Sequence, residues 1–245
     1  MSLSVLTVVL GNPDALTATF SSLKPFLSPD FFWTLKFSSS TSNEFLSQFE
    51  HPFVAIHQGP DCSIYDAMNQ GLKHIPTSHY FVLGAGDTVL ASGLNRLVSL
   101  RLAQQNFGPI FAPIIWSDSG FVLAPMPNDL SIRMSCPHPG AILSVEKSLE
   151  VGGFDTGYKI AADYDHLCRY VKAYGTGLTL DAPLVQFAGG GMSEVRAFEG
   201  ALEEELIRMR VWNSHEYAVH ARILRRTTLI ASSLFDQVAQ LHKKT

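Results

Sequence analysis

Between Leu3 and Leu83 the chain repeats one pattern, a short apolar run followed by a break and a helical stretch, and this alternation restricts the fold more than any other feature. Leu3 to Leu10 is apolar and largely β-branched, and Gly11, Asn12 and Pro13 stop it before a helical stretch that starts near Asp14. Phe31–Phe37, Phe53–His57 and His79–Leu83 read as further strands, with helices over Ser42–Phe49 and Ile64–His74 between them. Four such strands with interposed helices predict an α/β fold, a Rossmann-like, mainly parallel sheet flanked by helices on both faces. Loops at the carboxyl ends of the strands are then the expected ligand site.

Past Asp87 the alternation breaks down. A helix is expected over about Leu90 to Gln104, then a hairpin from Ile110–Trp116 and Phe121–Ala124 across Ser117–Gly120. Pro125 to Pro139 reads as a loop, Asp163 to Tyr174 as a helix, Leu178 to Phe187 as extended, and the chain beyond Gly191 as helical. The division that follows is an α/β unit over residues 1–195 and a helical extension over 196–245.

That extension is where charge matters. Residues 206–245 carry seven Lys and Arg against two acidic residues, a local +5, in a chain of 18 basic and 22 acidic residues with net charge −4. Ile223, Ile230, Leu234, Val238 and Leu241 fall at helical spacing beside the basic positions. A helix packed on its own domain or in a homodimer fits this pattern, and so does peripheral contact with an anionic membrane surface. The overall acidity leaves no field that would draw the chain to nucleic acid. Cys62, Cys136 and Cys168 match neither a disulfide framework nor a zinc site, which points to a reducing compartment, the cytoplasm. No basic residue precedes Asp14, unlike a signal peptide, and no apolar run reaches the ~18 residues of a spanning helix.

Phosphate-loop, zinc-protease and nucleophile-elbow patterns do not occur. What does occur is Asp61-Cys-Ser-Ile-Tyr-Asp66-Ala-Met-Asn69-Gln-Gly71, then the strand His79–Leu83, then Gly84-Ala-Gly86-Asp87. Downstream come Cys136-Pro-His138, Gly152-Gly-Phe-Asp155, Ala162-Asp163-Tyr-Asp165 and Phe187-Ala-Gly-Gly190-Gly-Met-Ser193. In this order the motifs resemble family 2 inverting glycosyltransferases of the GT-A fold, the branch engaged in bacterial surface polysaccharide. The resemblance spans residue 3 to about 195.

The resemblance implies sugar transfer from a nucleoside diphosphate sugar to a glycan or polyprenyl-linked acceptor, and the chemistry of the residues agrees. A leaving diphosphate needs positive charge, and a carboxylate at a strand end, here Asp87, can hold a divalent cation, Mn or Mg. Inversion needs a base for the acceptor hydroxyl, and Asp163 stands at the family's base position. Asp165, two residues on, points to another side of the helix. The resemblance further implies donor contacts from Thr7, Asp61, Asp66, Asn69, Gly86, His138 and Gly190. Plain structural roles compete for several of these: a helix-dipole carboxylate for Asp163, capping for Asp66 and Asn69, a packed loop residue for His138.

Two departures qualify the match. Uridine is the family's default base, yet Phe37 stands where a base-reading Asp is usual. The metal motif keeps a single carboxylate, in Gly84-Ala-Gly-Asp87, and Ala162 stands where relatives often have Glu. The alternative to an enzyme is therefore a degenerate relative acting as a nucleotide-sugar-binding or partner-binding subunit.

Overall fold

The structure, a computed structural model, describes residues 2–9, 13–39, 41–103, 108–189, 191 and 195–213. Its first half follows the alternation. Strands β1 (Leu3–Val9), β2 (Phe31–Phe37), β3 (Val54–Gln58) and β4 (His79–Val82) pair in parallel in the order β4-β1-β2-β3. Helices α1 (Leu16–Leu23), α2 (Asn43–Ser47) and α3 (Ile64–Leu72) connect them. Every residue of β1 is buried, as a strand covered on both faces requires. Pleating sorts them: Leu6 and Val8 join Tyr80 and Val82 in one core cluster, while Leu3, Val5 and Val9 join Trp33, Leu35 and Phe81 in the other.

Ser63 caps α3 by accepting the Asp66 amide at 3.1 Å, and Tyr65, Ala67, Met68, Gly71 and Leu72 are the face it buries. Gly71 is the close approach, since a Cβ there would stand 2.5 Å from Leu6 Cδ1 in β1.

The second half departs from the sequence reading in three places. The run Ile110–Trp116 is two strands in different sheets: β6 (Ile110–Phe111) joins the main sheet, and β7 (Ile114–Trp116) pairs antiparallel with β8 (Val122–Leu123). Pro113, which has no N–H to donate, sits at the break. The segment after the Pro-rich loop holds a strand, β9 (Ala141–Ser144), antiparallel to both β4 and β6, and a short helix, α5 (Val145–Glu150), capped by Ser144. Leu178–Phe187 likewise divides into β10 (Leu178–Thr179), beside β6, and β11 (Val185–Phe187), beside β7. The main sheet thus has seven strands, β10-β6-β9-β4-β1-β2-β3, and a smaller one reads β5-β11-β7-β8, with β5 at Thr88–Val89. Helix α4 (Ala91–Ala103) follows β5.

Helix α6 (Ala162–Tyr174) packs on the core through Tyr164, Leu167 and Cys168, and α7 (Ala197–Trp212) packs against α6. Ile207 and Val211 of α7 belong to the same core cluster as Leu6. Asn213, at φ 52°, ends the helix in the left-handed region that Asn tolerates. The stripe from Ile223 to Leu241 lies outside the described residues. Among those described, no helix is long and apolar enough to cross a membrane. Cys62 is exposed, Cys136 and Cys168 are buried, and all three are free thiols.

Candidate active site

β4 ends at the carboxyl edge of the sheet, where Gly84–Asp87 folds into a turn closed by the Asp87 amide on the Gly84 carbonyl at 3.1 Å. Gly86, at φ +99°, supplies the conformation that L side chains avoid. Buried Thr19 of α1 fixes the turn from below, accepting the Gly86 amide at 3.0 Å and donating to the Asp87 carbonyl at 2.9 Å. The Asp87 carboxylate then spans two sheets: Oδ2 accepts the Gly84 amide at 3.2 Å, and Oδ1 accepts the Ala188 amide, just past β11, at 2.8 Å. Only 4% of Asp87 is exposed, and burial pushes its carboxyl up to about 6, against the two amide bonds.

Asp163 occupies the first turn of α6, partly buried, with Oδ1 accepting the Tyr164 amide at 2.8 Å. Burial pushes its carboxyl up to about 6; the Tyr164 amide opposes this, while Glu204 and Glu203 of α7 add to it. Asp165, two residues on, is wholly buried in ion pairs. Arg169 Nε and Arg210 Nη2 each donate to it at 2.8 Å. Arg169 Nη2 also donates to the Gly153 carbonyl at 2.6 Å, and Arg210 Nη1 to Asp155 at 2.9 Å. The two carboxylates differ in their partners: Asp165 is spent on ion pairs, and among the described residues no ion pair holds Asp163.

The remaining residues implied by the resemblance are mostly occupied by the fold itself. Asp61 Oδ2 pairs with Lys36 Nζ at 3.1 Å, with side chains only 4% and 3% exposed. Lys36 spends its other protons on the Phe37 and Gly59 carbonyls, at 2.8 and 2.7 Å. Asp66 accepts the Cys62 amide at 2.9 Å and Gln70 Nε2 at 3.2 Å, which is capping work. Thr7, buried, accepts the Trp33 indole N–H at 3.0 Å. The Asn69 amide brackets Phe154, donating to its carbonyl and accepting its N–H, both at 2.8 Å. Gly190 lies outside the described residues.

Phe154 sits in a buried aromatic cluster. Phe154 stacks with Tyr65 at 6.2 Å between centroids and meets His138 edge-on at 5.5 Å. Burial pushes His138 down to about 4, so its imidazole is neutral at pH 7. The Tyr65 hydroxyl donates to the Ile160 carbonyl, just before α6.

Lys36, Tyr65 and Glu203 escaped the sequence reading as working residues. Tyr65 stands inside the motif and had a local signal. Lys36 and Glu203 act across 25 and 42 or more residues of chain, where no spacing rule reaches.

Comparison of folds supplies the wider context. No protein-family model matches the chain, and no curated protein matches its sequence. Among solved structures it is similar to the glycosyltransferase S. aureus TarS, at 12% identity and a TM-score of 0.66, covering 90% of this chain and 41% of that one. TarS 1–349 in complex with UDP-GlcNAc gives 13% identity and a TM-score of 0.67 over 90% of this chain and 69% of that one. The complex with UDP gives 13% and 0.60, over 90% and 68%. The fold is therefore that of a glycosyltransferase neighbour, and this chain spans less than half of the full TarS chain.

Proposed function

We propose that the protein is an inverting glycosyltransferase that moves a sugar from a nucleoside diphosphate sugar to a hydroxyl of a glycan or polyprenyl-linked acceptor. The observation that carries this reading is Asp163: a partly buried carboxylate opening a helix, outside any ion pair among the described residues, and raised to about 6. A base whose pKa lies near the working pH combines ionisation with proton affinity. The acceptor hydroxyl gives its proton to Asp163 as its oxygen attacks the anomeric carbon, the bond to the diphosphate oxygen breaks on the opposite face, and the configuration inverts. Asp165 cannot do this work while Arg169 and Arg210 hold it.

Among the described residues, no group of three or more His, Cys, Asp or Glu could hold a metal ion by itself. The donor set nevertheless suits a cation brought with substrate. Each Asp87 oxygen accepts one amide and keeps a second lone pair, so Asp87 would be the protein ligand, with diphosphate oxygens and water completing the shell. A bound Mn or Mg ion would neutralise the charge developing on the leaving diphosphate. His138, neutral and buried against Phe154, adds no charge.

A uridine donor is the starting choice, because the similar TarS structures carry UDP and UDP-GlcNAc. The test is calorimetry with UDP, GDP, ADP and TDP, with and without manganese, followed by a transfer assay with UDP-GlcNAc and other sugars of the nucleotide that binds. Manganese-assisted binding of one nucleotide and transfer with inversion are expected. Binding without any transfer favours a nucleotide-sugar-binding subunit, and binding of none overturns the reading.

A further inference from the structure

Helix α6 starts without a cap of its own, because its N-cap residue, Ala161, makes no side-chain hydrogen bond. The acceptor arrives from α7. Glu203 Oε1 accepts the Lys159 amide at 2.8 Å, and Oε2 accepts the amides of Ile160 and Ala161, each at 2.9 Å. Three successive amides converging on one carboxylate form an anion-holding nest, filled here by a side chain more than forty residues away. The Tyr65 hydroxyl holds the same segment from the other side, through the Ile160 carbonyl. Gly200, three residues before Glu203, permits the approach, since a Cβ there would stand 3.0 Å from Ile160 Cγ2. Asp163 follows two residues after the cradle.

We propose that Glu203 is a positioning residue for the transfer reaction: it fixes the segment that delivers Asp163 and makes Asp163 a stronger proton acceptor. This rests on the reading of Asp163 as the base. The groups facing Asp163 separate cleanly. From α3 comes Tyr65, neutral at working pH because burial pushes its phenol up. From α7 come Glu203 and Glu204, both favouring the protonated form of Asp163. Arg208, 3.6 Å from Glu204, is shared with Glu205, which it contacts more closely. Arg169 and Arg210 are directed at Asp165. Glu204 makes the larger of the two contributions and Glu203 the smaller, and only Glu203 also holds the backbone that leads into Asp163.

The test is a 13C carboxyl titration of Asp163, assigned with Asp163→Asn, in the full chain and in Glu203→Gln. The midpoint is expected to fall by a few tenths of a pH unit once the charge is gone. The acid limb of the pH–rate profile should move the same way, with kcat down about 10-fold and donor KM within about twofold. Gly200→Ala keeps the charge and displaces Ile160, so it should lower kcat and leave the midpoint in place. A folded Glu203→Gln with an unmoved midpoint overturns the proposal. If that variant does not fold, an unchanged kcat in Gly200→Ala overturns it instead. The titration needs no turnover, so a chain that transfers no sugar would fail the functional reading while the effect of Glu203 on Asp163 stays measurable.

Discussion

Lys36 Nζ lies 3.1 Å from Asp61 Oδ2 at the carboxyl edge of the sheet, with both side chains almost fully buried. The pair joins the end of β2 to the loop after β3, and two carbonyls complete the ammonium's hydrogen bonds. Breaking one half of a buried pair leaves an uncompensated charge, which costs about 3 to 5 kcal/mol. Lys36→Met should lose that much stability in urea denaturation, and Lys36→Met/Asp61→Leu should lose clearly less than the two single variants summed. Simple additivity would show that the two charges do not depend on each other.

Asn69 makes a comparable internal link. Its amide satisfies both backbone groups of Phe154, and Gly153, at φ +63°, leaves the room, since a Cβ there would stand 2.5 Å from Asn69 Oδ1. Asn69→Ala should cost about 1 to 3 kcal/mol, the penalty for unsatisfied backbone groups. Donor affinity, measured where the variant is folded, should change little. A loss of affinity above about tenfold at unchanged stability would identify Asn69 as a donor contact.

These two links mark where the sequence is not legible, in contrast to its regular strands. β1 could be read because a seven-residue strand buried on both faces leaves an unbroken apolar run. β9 could not, because Ala141–Ser144 leaves a Pro-rich loop and runs straight into the Ser144 cap of α5, outside the regular strand–helix alternation. Asp87 and Asp163 were legible as carboxylates at a strand end and a helix start. The partners that sort the carboxylates, Lys36 for Asp61, Arg210 for Asp165 and Glu203 for the Asp163 segment, come from remote chain and leave no trace in local spacing.

Asp87 holds the turn and, in the proposed function, also the cation, and substitution can separate the two. Asp87→Ala removes both amide acceptors and the anionic ligand, so manganese-assisted nucleoside diphosphate binding should vanish and the turn should loosen. Asp87→Asn keeps an acceptor oxygen for Gly84 or Ala188, preserving most of the turn while losing the charge. Calorimetry should find nucleotide binding in Asp87→Asn indifferent to manganese. An undiminished manganese effect in both variants would remove Asp87 as the metal ligand.

Asp163→Asn should raise stability while lowering activity, and the sign of its pH dependence follows from the direction of the shift. The folded protein holds the Asp163 proton with a pKa of about 6, above the ordinary 3.8, so it binds more protons than the unfolded chain between those values. Stability linked to this group is therefore full below about pH 4, falls as pH rises to about 6, and stays reduced above that. Ionised Asp163 costs the native state about 1 to 3 kcal/mol at pH 7, and an Asn removes that cost because its Oδ1 can still accept the Tyr164 amide. Turnover should fall by about 10² to 10⁴, the span for losing a general base. The variant's advantage in melting temperature over the parent should be present at pH 7.5 and shrink towards pH 4. An advantage independent of pH would mean that Asp163 titrates normally, and equal turnover in parent and variant would take the base role from Asp163.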